Sequence, residues 1–404
     1  MQANHSSVAC VSGPVRALKR TLRFGIPAGA AGVLLWSVAP ALSLTPYVPE
    51  AVDFEQRVPA VERVLAPSGS SRASAAQGHV GDQGPVRFRS PVIDAPARFD
   101  LVGIGGELRP LEYRARLDGH DWTRWVETAN GDPVYFGGAD QVQVRSRGVR
   151  PEGRLHYVNV SGSKTFASRL ITSAREAVNS ALISVASTAS AGAVPPEPEL
   201  VSRGEWGAKR SDGGCRPRGG QAYGEVKAAT VHHTVSANDY EPDEAPDIVL
   251  GICRFHRNGN GWNDVGYNFL VDRFGEVYVG RSGGPRKAVV GAHAGGYNAQ
   301  TTGIASIGTH SSDPVSAPAE NAFVKLIAWK LALHETRAAG KTRLLSAGGS
   351  VNRFAAGKKV RVKRVFGHRR VNATECPGDE LKGILKRLRY GAQQLIAGSG
   401  GTSG

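Results

Sequence analysis

The sequence predicts an α/β domain, with a central mixed β-sheet flanked by helices, preceded by a small all-β sandwich-like domain. Two patterns carry that reading. Between residues 92 and 162, apolar and polar residues alternate with period two, the mark of half-buried antiparallel strands. From 201 to 396, strand-like apolar runs alternate with helix-spaced ones, which indicates a sheet covered by helices.

Three segments define the β region. Leu111, Tyr113, Ala115 and Leu117 alternate with Glu112, Arg114 and Arg116. Val142 and Val144 alternate with Gln141, Gln143 and Arg145, and Leu155 and Tyr157 with Arg154 and His156. Asp118-Gly119 and Gly131-Asp132-Pro133 supply turns. Trp122 and Trp125 flank a loop; such a pair can form a carbohydrate platform, but burial in the core is the commoner fate and is expected here.

In the α/β region, 228–236 reads as an apolar strand, and Ile248, Ile252 and Phe255 as one helix face. Residues 267–279 read as a hairpin turning at Arg273-Phe274-Gly275, and 303–308 as a buried strand. Phe323, Ile327 and Leu331 mark a long helix. Leu381, Ile384, Leu385, Leu388, Ala392 and Leu395 mark an amphipathic last helix.

The remaining stretches are not expected to pack. Arg16, Lys19, Arg20 and Arg23 precede an apolar run, 24–44, with a small-residue site at Ala39-Pro40-Ala41, the layout of a secretory signal over 1–41. Pro27, Gly29, Gly32 and Pro40 make a poor spanning helix, so cleavage is favoured over anchoring. A secreted or wall-associated monomer with no integral membrane domain is expected. Residues 42–91 and 163–200 are rich in small residues and Pro and read as linkers, and 397–404 as a disordered tail.

The balance of 50 Lys+Arg against 35 Asp+Glu suits work among anionic polymers. No recognition helix, zinc-finger spacing or aromatic–basic sheet motif supports nucleic acid, so an anionic cell wall is the expected setting. Of four cysteines, Cys10 lies in the signal segment. The odd remainder, Cys215, Cys253 and Cys376, is explained by one disulfide plus one metal ligand.

The chemistry concentrates in Gly367-His368-Arg369-Arg370-Val371-Asn372-Ala373-Thr374-Glu375-Cys376-Pro377-Gly378, and in Val231-His232-His233-Thr234 at the end of an apolar strand. Two imidazoles and a thiolate suit Zn²⁺ and leave a fourth tetrahedral position open, as in catalytic zinc sites. By spacing alone, Cys376 could equally be half of a disulfide and the histidines ordinary packing residues.

Residues 201–396 resemble the peptidoglycan-recognition-protein and type 2 N-acetylmuramoyl-L-alanine amidase family, the T7 lysozyme-like group. The matching pieces run in order. They are Arg203-Gly204-Glu205-Trp206-Gly207-Ala208, the His232 strand, Gly261-Trp262-Asn263-Asp264-Val265-Gly266-Tyr267-Asn268-Phe269, Gly275-Glu276-Val277-Tyr278-Val279-Gly280-Arg281, Gly291-Ala292-His293-Ala294-Gly295-Gly296-Tyr297-Asn298 and the His368/Cys376 loop. The all-β domain and linker ahead of them resemble actinobacterial members.

The resemblance implies roles. His232, His368 and Cys376 take the zinc-ligand positions. Tyr267 and Thr374 take positions that stabilise the oxyanion, and His293 and Asn298 line the peptide groove. The implied reaction is zinc-dependent hydrolysis of the amide between the lactyl group of N-acetylmuramic acid and L-Ala in peptidoglycan; binding of muramyl peptide stems without cutting is the alternative. Cys215 and Cys253 match no zinc position and are expected to form a disulfide. His233 is divided between supporting the metal and packing. His256 is read as structural, Glu375 as turned away, and His310 and His334 as surface residues. Arg370 stands where the family usually has Asp, which could weaken zinc binding or turnover, or could contact acidic substrate.

Overall fold

Paired strands run through the described part of residues 53–158 in the computed structural model, which describes residues 53–64, 85–107, 109–128, 131–160 and 194–400. The signal segment and most of both linker stretches lie outside the described residues. All described residues belong to one unit, Tyr47–Gly404.

Eight strands form the first sheet: β1 (Asp53–Arg57), β2 (Glu62–Arg63), β3 (Phe88–Arg89), β4 (Ile93–Ile104), β5 (Leu111–Arg116), β6 (Val126–Thr128), β7 (Val134–Ser146) and β8 (Arg154–Val158). Their order is β1-β8-β4-β7-β3-β2, with β5 pairing β6 and β7. The long β4/β7 pair slips register around Phe99. Opposite that slip, Gly137 and Gly138 take φ of 72° and 111°, where a side chain is strained. An irregularity of this kind bends both strands. One hydrogen-bonded sheet therefore closes over a core of Phe99, Val102, Tyr113, Val142 and Tyr157.

The expected linker 42–91 needs correction, because β1, β2 and β3 lie within it. β1 pairs antiparallel with β8 from Asp53↔Val158 to Arg57↔Arg154, and Phe54 stacks on Tyr157 at 5.0 Å. Strands of five, two and two residues are too short for a period to show.

The second sheet uses β9 (Ala228–His233), β10 (Phe269–Val271), β11 (Val277–Val279), β12 (Thr301–Ser306) and β15 (Val365–Gly367), in the order β11-β10-β12-β9-β15. Only the edge strand β11 is antiparallel to its neighbour. Three helices cover it: α1 (Ala245–Arg254), α2 (Ala317–Ala332) and α3 (Asp379–Gly400). Successive side chains on a strand face opposite ways. Val231, Phe269, Val271 and Ile304 accordingly join the α2 and α3 core, while Leu270 and Ala305 join that of α1. His232 follows Val231 and so points toward the α1 face.

A hairpin, β13 (Lys341–Leu345) with β14 (Lys359–Lys363), lies outside the expected elements; it packs Leu344, Val360 and Val362 against Tyr297 and Phe366. The expected tail also shortens, since α3 continues through 397–400, where Ser399 Oγ donates to Leu395 O at 2.8 Å.

The two sheets share a core. Leu101, Tyr135, Val158 and Val160 from the first belong to the same buried cluster as Ile248, Val249, Ile252 and Phe255 from the α1 region. The fit is close: a Cβ on Gly251 would collide with Leu101, and one on Gly103 with Phe255. Arg254 Nη2 reaches Asp53 Oδ2 at 2.5 Å, and Asn258 Nδ2 donates to the same oxygen. Asn260 Nδ2 donates to Gly131 O at 2.6 Å while its Oδ1 accepts from Gly106 N.

Candidate metal centre

His232 is the penultimate residue of β9 and His368 follows β15 directly, so two neighbouring parallel strands deliver both imidazoles to one end of the sheet. Cys376 returns on the loop before α3. Gly367 lets that loop close, because a Cβ there would meet Pro377. The loop is stapled by Arg369 N donating to Cys376 O at 2.8 Å, and by Arg369 Nη2 donating to Glu375 O. One ligand atom from each of His232, His368 and Cys376 lies within 4.8 Å of the other two, and all three residues are buried. His232 Nδ1 stands 3.6 Å from Cys376 Sγ.

The other ring nitrogens are held from behind. His232 Nε2 lies 3.1 Å from His293 Nδ1, and His368 Nε2 lies 3.1 Å from Asn372 Oδ1. Asn372 is fully buried and donates through Nδ2 to Gly295 O at 3.1 Å. Supports of this kind fix ring orientation at metal sites. Burial pushes the imidazole pKa values down, well below the usual range for His232 and to about 4 for His368. The rings are therefore neutral with lone pairs available. Burial also pushes the Cys376 thiol up, so a bound cation would have to drive its deprotonation. Two neutral imidazoles and one potential thiolate fit a borderline-soft divalent metal.

The other expected site residues are placed as follows. His293 is buried under His232; its ring packs where any side chain on Gly291 or Gly303 would stand. Burial lowers its pKa to about 3. Asn298 Oδ1 accepts from His293 N and Ala294 N at 2.9 and 2.7 Å, clamping that loop. Thr374 Oγ1 accepts from Cys376 N at 3.1 Å, and Thr374 borders a cavity of about 520 Å³ shared with Glu112, Arg147 and Arg353. His233, facing away from His232, accepts at Nδ1 from His310 N. His310 is buried, not on the surface, and its Nε2 lies 2.8 Å from Ser306 Oγ. Glu375 is turned out. Arg370 is exposed, donating to Arg361 O and stacking on Phe354 at 5.8 Å, so it touches neither the three candidate ligands nor their supports.

Tyr267 is buried beside His232, with ring centroids 5.3 Å apart. Its hydroxyl donates to Asp132 Oδ1 at 2.8 Å, which aims its single proton at that carboxylate. Burial first, and Asp132 second, push the phenol pKa well above its ordinary range. His256 Nε2 meets the same oxygen at 3.1 Å, which draws this residue from a plain structural role into the site.

Cys215 and Cys253 form a disulfide across a sequence separation of 38. Trp122 and Trp125 are half-buried rather than core. The outward arginines of the first sheet cover them, with Arg114 4.6 Å from the Trp122 ring centre and Arg145 4.2 Å from that of Trp125. Such pairs satisfy an indole face without core burial.

The site is a strand-delivered His-His-Cys cluster at one end of a mixed α/β sheet. The family model described as N-acetylmuramoyl-L-alanine amidase matches residues 222–379. Peptidoglycan-recognition protein SC2 of Drosophila simulans is 31% identical over 184 residues, covering 45% of this chain and 82% of the relative. Peptidoglycan recognition protein 1 of Bos indicus is 32% identical over 191 residues, covering 46% and 83%. The solved structure of Drosophila PGRP-LB is 27% identical, with a TM-score of 0.36, over 46% of this chain and 92% of that one. The chain belongs to the peptidoglycan-recognition-protein and type 2 amidase family. No helix among the described residues is long and apolar enough to cross a membrane.

Proposed function

We propose that this protein is a zinc amidase that hydrolyses the amide between the lactyl group of N-acetylmuramic acid and L-Ala in peptidoglycan. The observation that carries the reading is the convergence of His232, His368 and Cys376. A zinc ion held there supplies Lewis acidity and a water whose pKa falls toward ~7. The protein's own part is to hold and orient. Asn372 and His293 fix the two imidazoles. Thr374 uses its oxygen lone pair on Cys376 N, which leaves its O–H free to donate to the developing oxyanion, a contribution typically worth about 3 kcal/mol. Export to an oxidising compartment agrees with the Cys215–Cys253 disulfide.

A second reading, recognition of muramyl peptide without cleavage, is favoured by the names of the curated relatives and by the committed Tyr267 proton. The full chain, loaded with zinc and given defined muropeptides, separates the two. Free L-Ala amino termini are expected. Tight muropeptide binding with none released, at full zinc occupancy, would select recognition instead.

A further inference from the structure

Asp132 lies outside the 222–379 stretch matched by the family model and 135 residues from Tyr267, on a turn of the first sheet. Its Oδ1 nevertheless receives both the Tyr267 hydroxyl proton and the bond from His256 Nε2. The His256 tautomer follows from its other nitrogen. Nδ1 accepts from Gly266 N at 3.1 Å, so Nε2 carries the proton and donates. Two donors from the amidase region thus converge on one carboxylate oxygen from the N-terminal sheet.

This contact belongs to the permanent fold. Gly131 has a φ of 78° and is held through its carbonyl by Asn260, and Thr128 Oγ1 donates to Asp132 O at 2.7 Å. Around it lie the shared apolar core and the Asp53–Arg254 ion pair. Relative domain motion is the default unless the interface is large and hydrophobic, and here Leu101, Tyr135, Val158 and Val160 share one buried cluster with Ile248, Val249, Ile252 and Phe255. A carboxylate seated in a fused core is a constituent of the site, not a removable plug.

We propose that Asp132 is a positioning residue of the amidase reaction: it aims the Tyr267 proton away from the reacting centre, so that Tyr267 works as a proton acceptor and the N-terminal sheet forms part of the active site. The inference rests on the amidase reading above. The attacking water gives one proton to Tyr267 Oη as the Tyr267 proton passes to Asp132 Oδ1. The electron pair of the broken O–H bond forms the new C–O bond to the amide carbon. On collapse the C–N bond breaks, and the proton returns from Asp132 through Tyr267 to the leaving nitrogen, regenerating both groups. Nothing else is consumed.

The test uses the zinc-loaded full chain, a defined muropeptide, and Asp132→Asn, which keeps the shape. General acid–base contributions run to about 10²–10⁴-fold, so kcat should fall about 100-fold in Asp132→Asn. KM, zinc content and Tm should stay near those of the parent. Asp132→Glu should recover part of the loss. Tyr267→Phe should lose as much as Asp132→Asn, and the double variant little more, as expected of residues acting as a unit. Apart from activity, the His256 ring N–H resonance should shift in Asp132→Asn and vanish into exchange in Asp132→Ala. A parental or raised kcat in Asp132→Asn or in Tyr267→Phe overturns the inference, as does an unmoved His256 signal. If the parent chain binds muropeptide and releases no amine, the amidase reading falls and takes this inference with it. If the parent cuts and Asp132→Asn cuts equally, only this inference falls.

Discussion

Among the described residues, two buried clusters gather metal-type side chains, one at His232, His368 and Cys376 and one at Cys215, Cys253 and Asp264. In the second, the two sulfurs are spent on each other. Asp264 is saturated as well: Oδ1 accepts from Arg203 Nη2 at 3.0 Å and Val265 N at 2.8 Å, and Oδ2 from Ser282 N at 2.9 Å. In the first, the far ring nitrogens are tied to His293 and Asn372, while His232 Nδ1 and Cys376 Sγ meet at 3.6 Å and Sγ reaches His233 O only at 3.9 Å, long contacts that a cation could replace. Spare valence under fixed orientation separates a candidate metal centre from a structural knot; proximity of the right residue types does not.

Swapping the cysteine roles by mutation should show the largest effects. Cys376→Ala should abolish stoichiometric zinc binding by metal analysis and remove activity, because two neutral imidazoles alone make a weak site. Its fold should survive, since the loop stays pinned by Arg369. Cys253→Ala should do the reverse. Opening a crosslink over 38 residues should cost about 4 kcal/mol in chemical unfolding under the chain-entropy account. Zinc content at low temperature should match the parent. If Cys253→Ala lost zinc as fully as Cys376→Ala, the division between the clusters would be wrong.

The two clusters also differ in how much of them could be read beforehand. His232, His368 and Cys376 sit in short motifs next to turn signals, where residue type and order speak directly. Asn372 lies in the same motif, but a buried amide carries no sequence mark of its partner. Asp132 was legible only as part of a turn, since nothing local says that a 135-residue separation closes onto Tyr267. Strand parity did place information in the sequence that period counting missed. β14 reads Lys-Val-Arg-Val-Lys with both valines buried, yet its charge hides it. Trp122 and Trp125 misled because arginine faces can take the place of a core.

Acid should act on the first cluster through its histidines. Folding lowers the pKa of His232 and His233 well below 6.5, of His293 to about 3 and of His368 to about 4. As pH falls through 6.5, the unfolded chain binds protons that the folded one refuses, so the stability held above 6.5 is lost toward pH 4. Each histidine contributes a slope of at most ~1.4 kcal/mol per pH unit in that window. Urea unfolding of metal-free protein at pH 6 and pH 5 should show the loss, and His293→Gln should flatten it by about one histidine's share. Cys253→Ala should leave the slope as it is. An unchanged slope in His293→Gln would mean that His293 is not buried neutral.

The smallest effect is expected at the residue that looked most troubling in the motif. Arg370 replaces an acidic residue usual in the family, yet its guanidinium reaches Arg361 O and the Phe354 ring on the outer side of the loop. The task of holding His368 falls to Asn372, two residues further on. Arg370→Asp should therefore leave zinc content intact, kcat within about twofold, and stability within roughly 0.5 kcal/mol, the range for surface changes. Asn372→Ala, by contrast, frees the His368 ring and should weaken zinc affinity by about 10–100-fold, as loss of such supports does. Measured side by side by zinc titration, the pair asks which residue orients the ligand. A larger loss in Arg370→Asp than in Asn372→Ala would return that role to position 370.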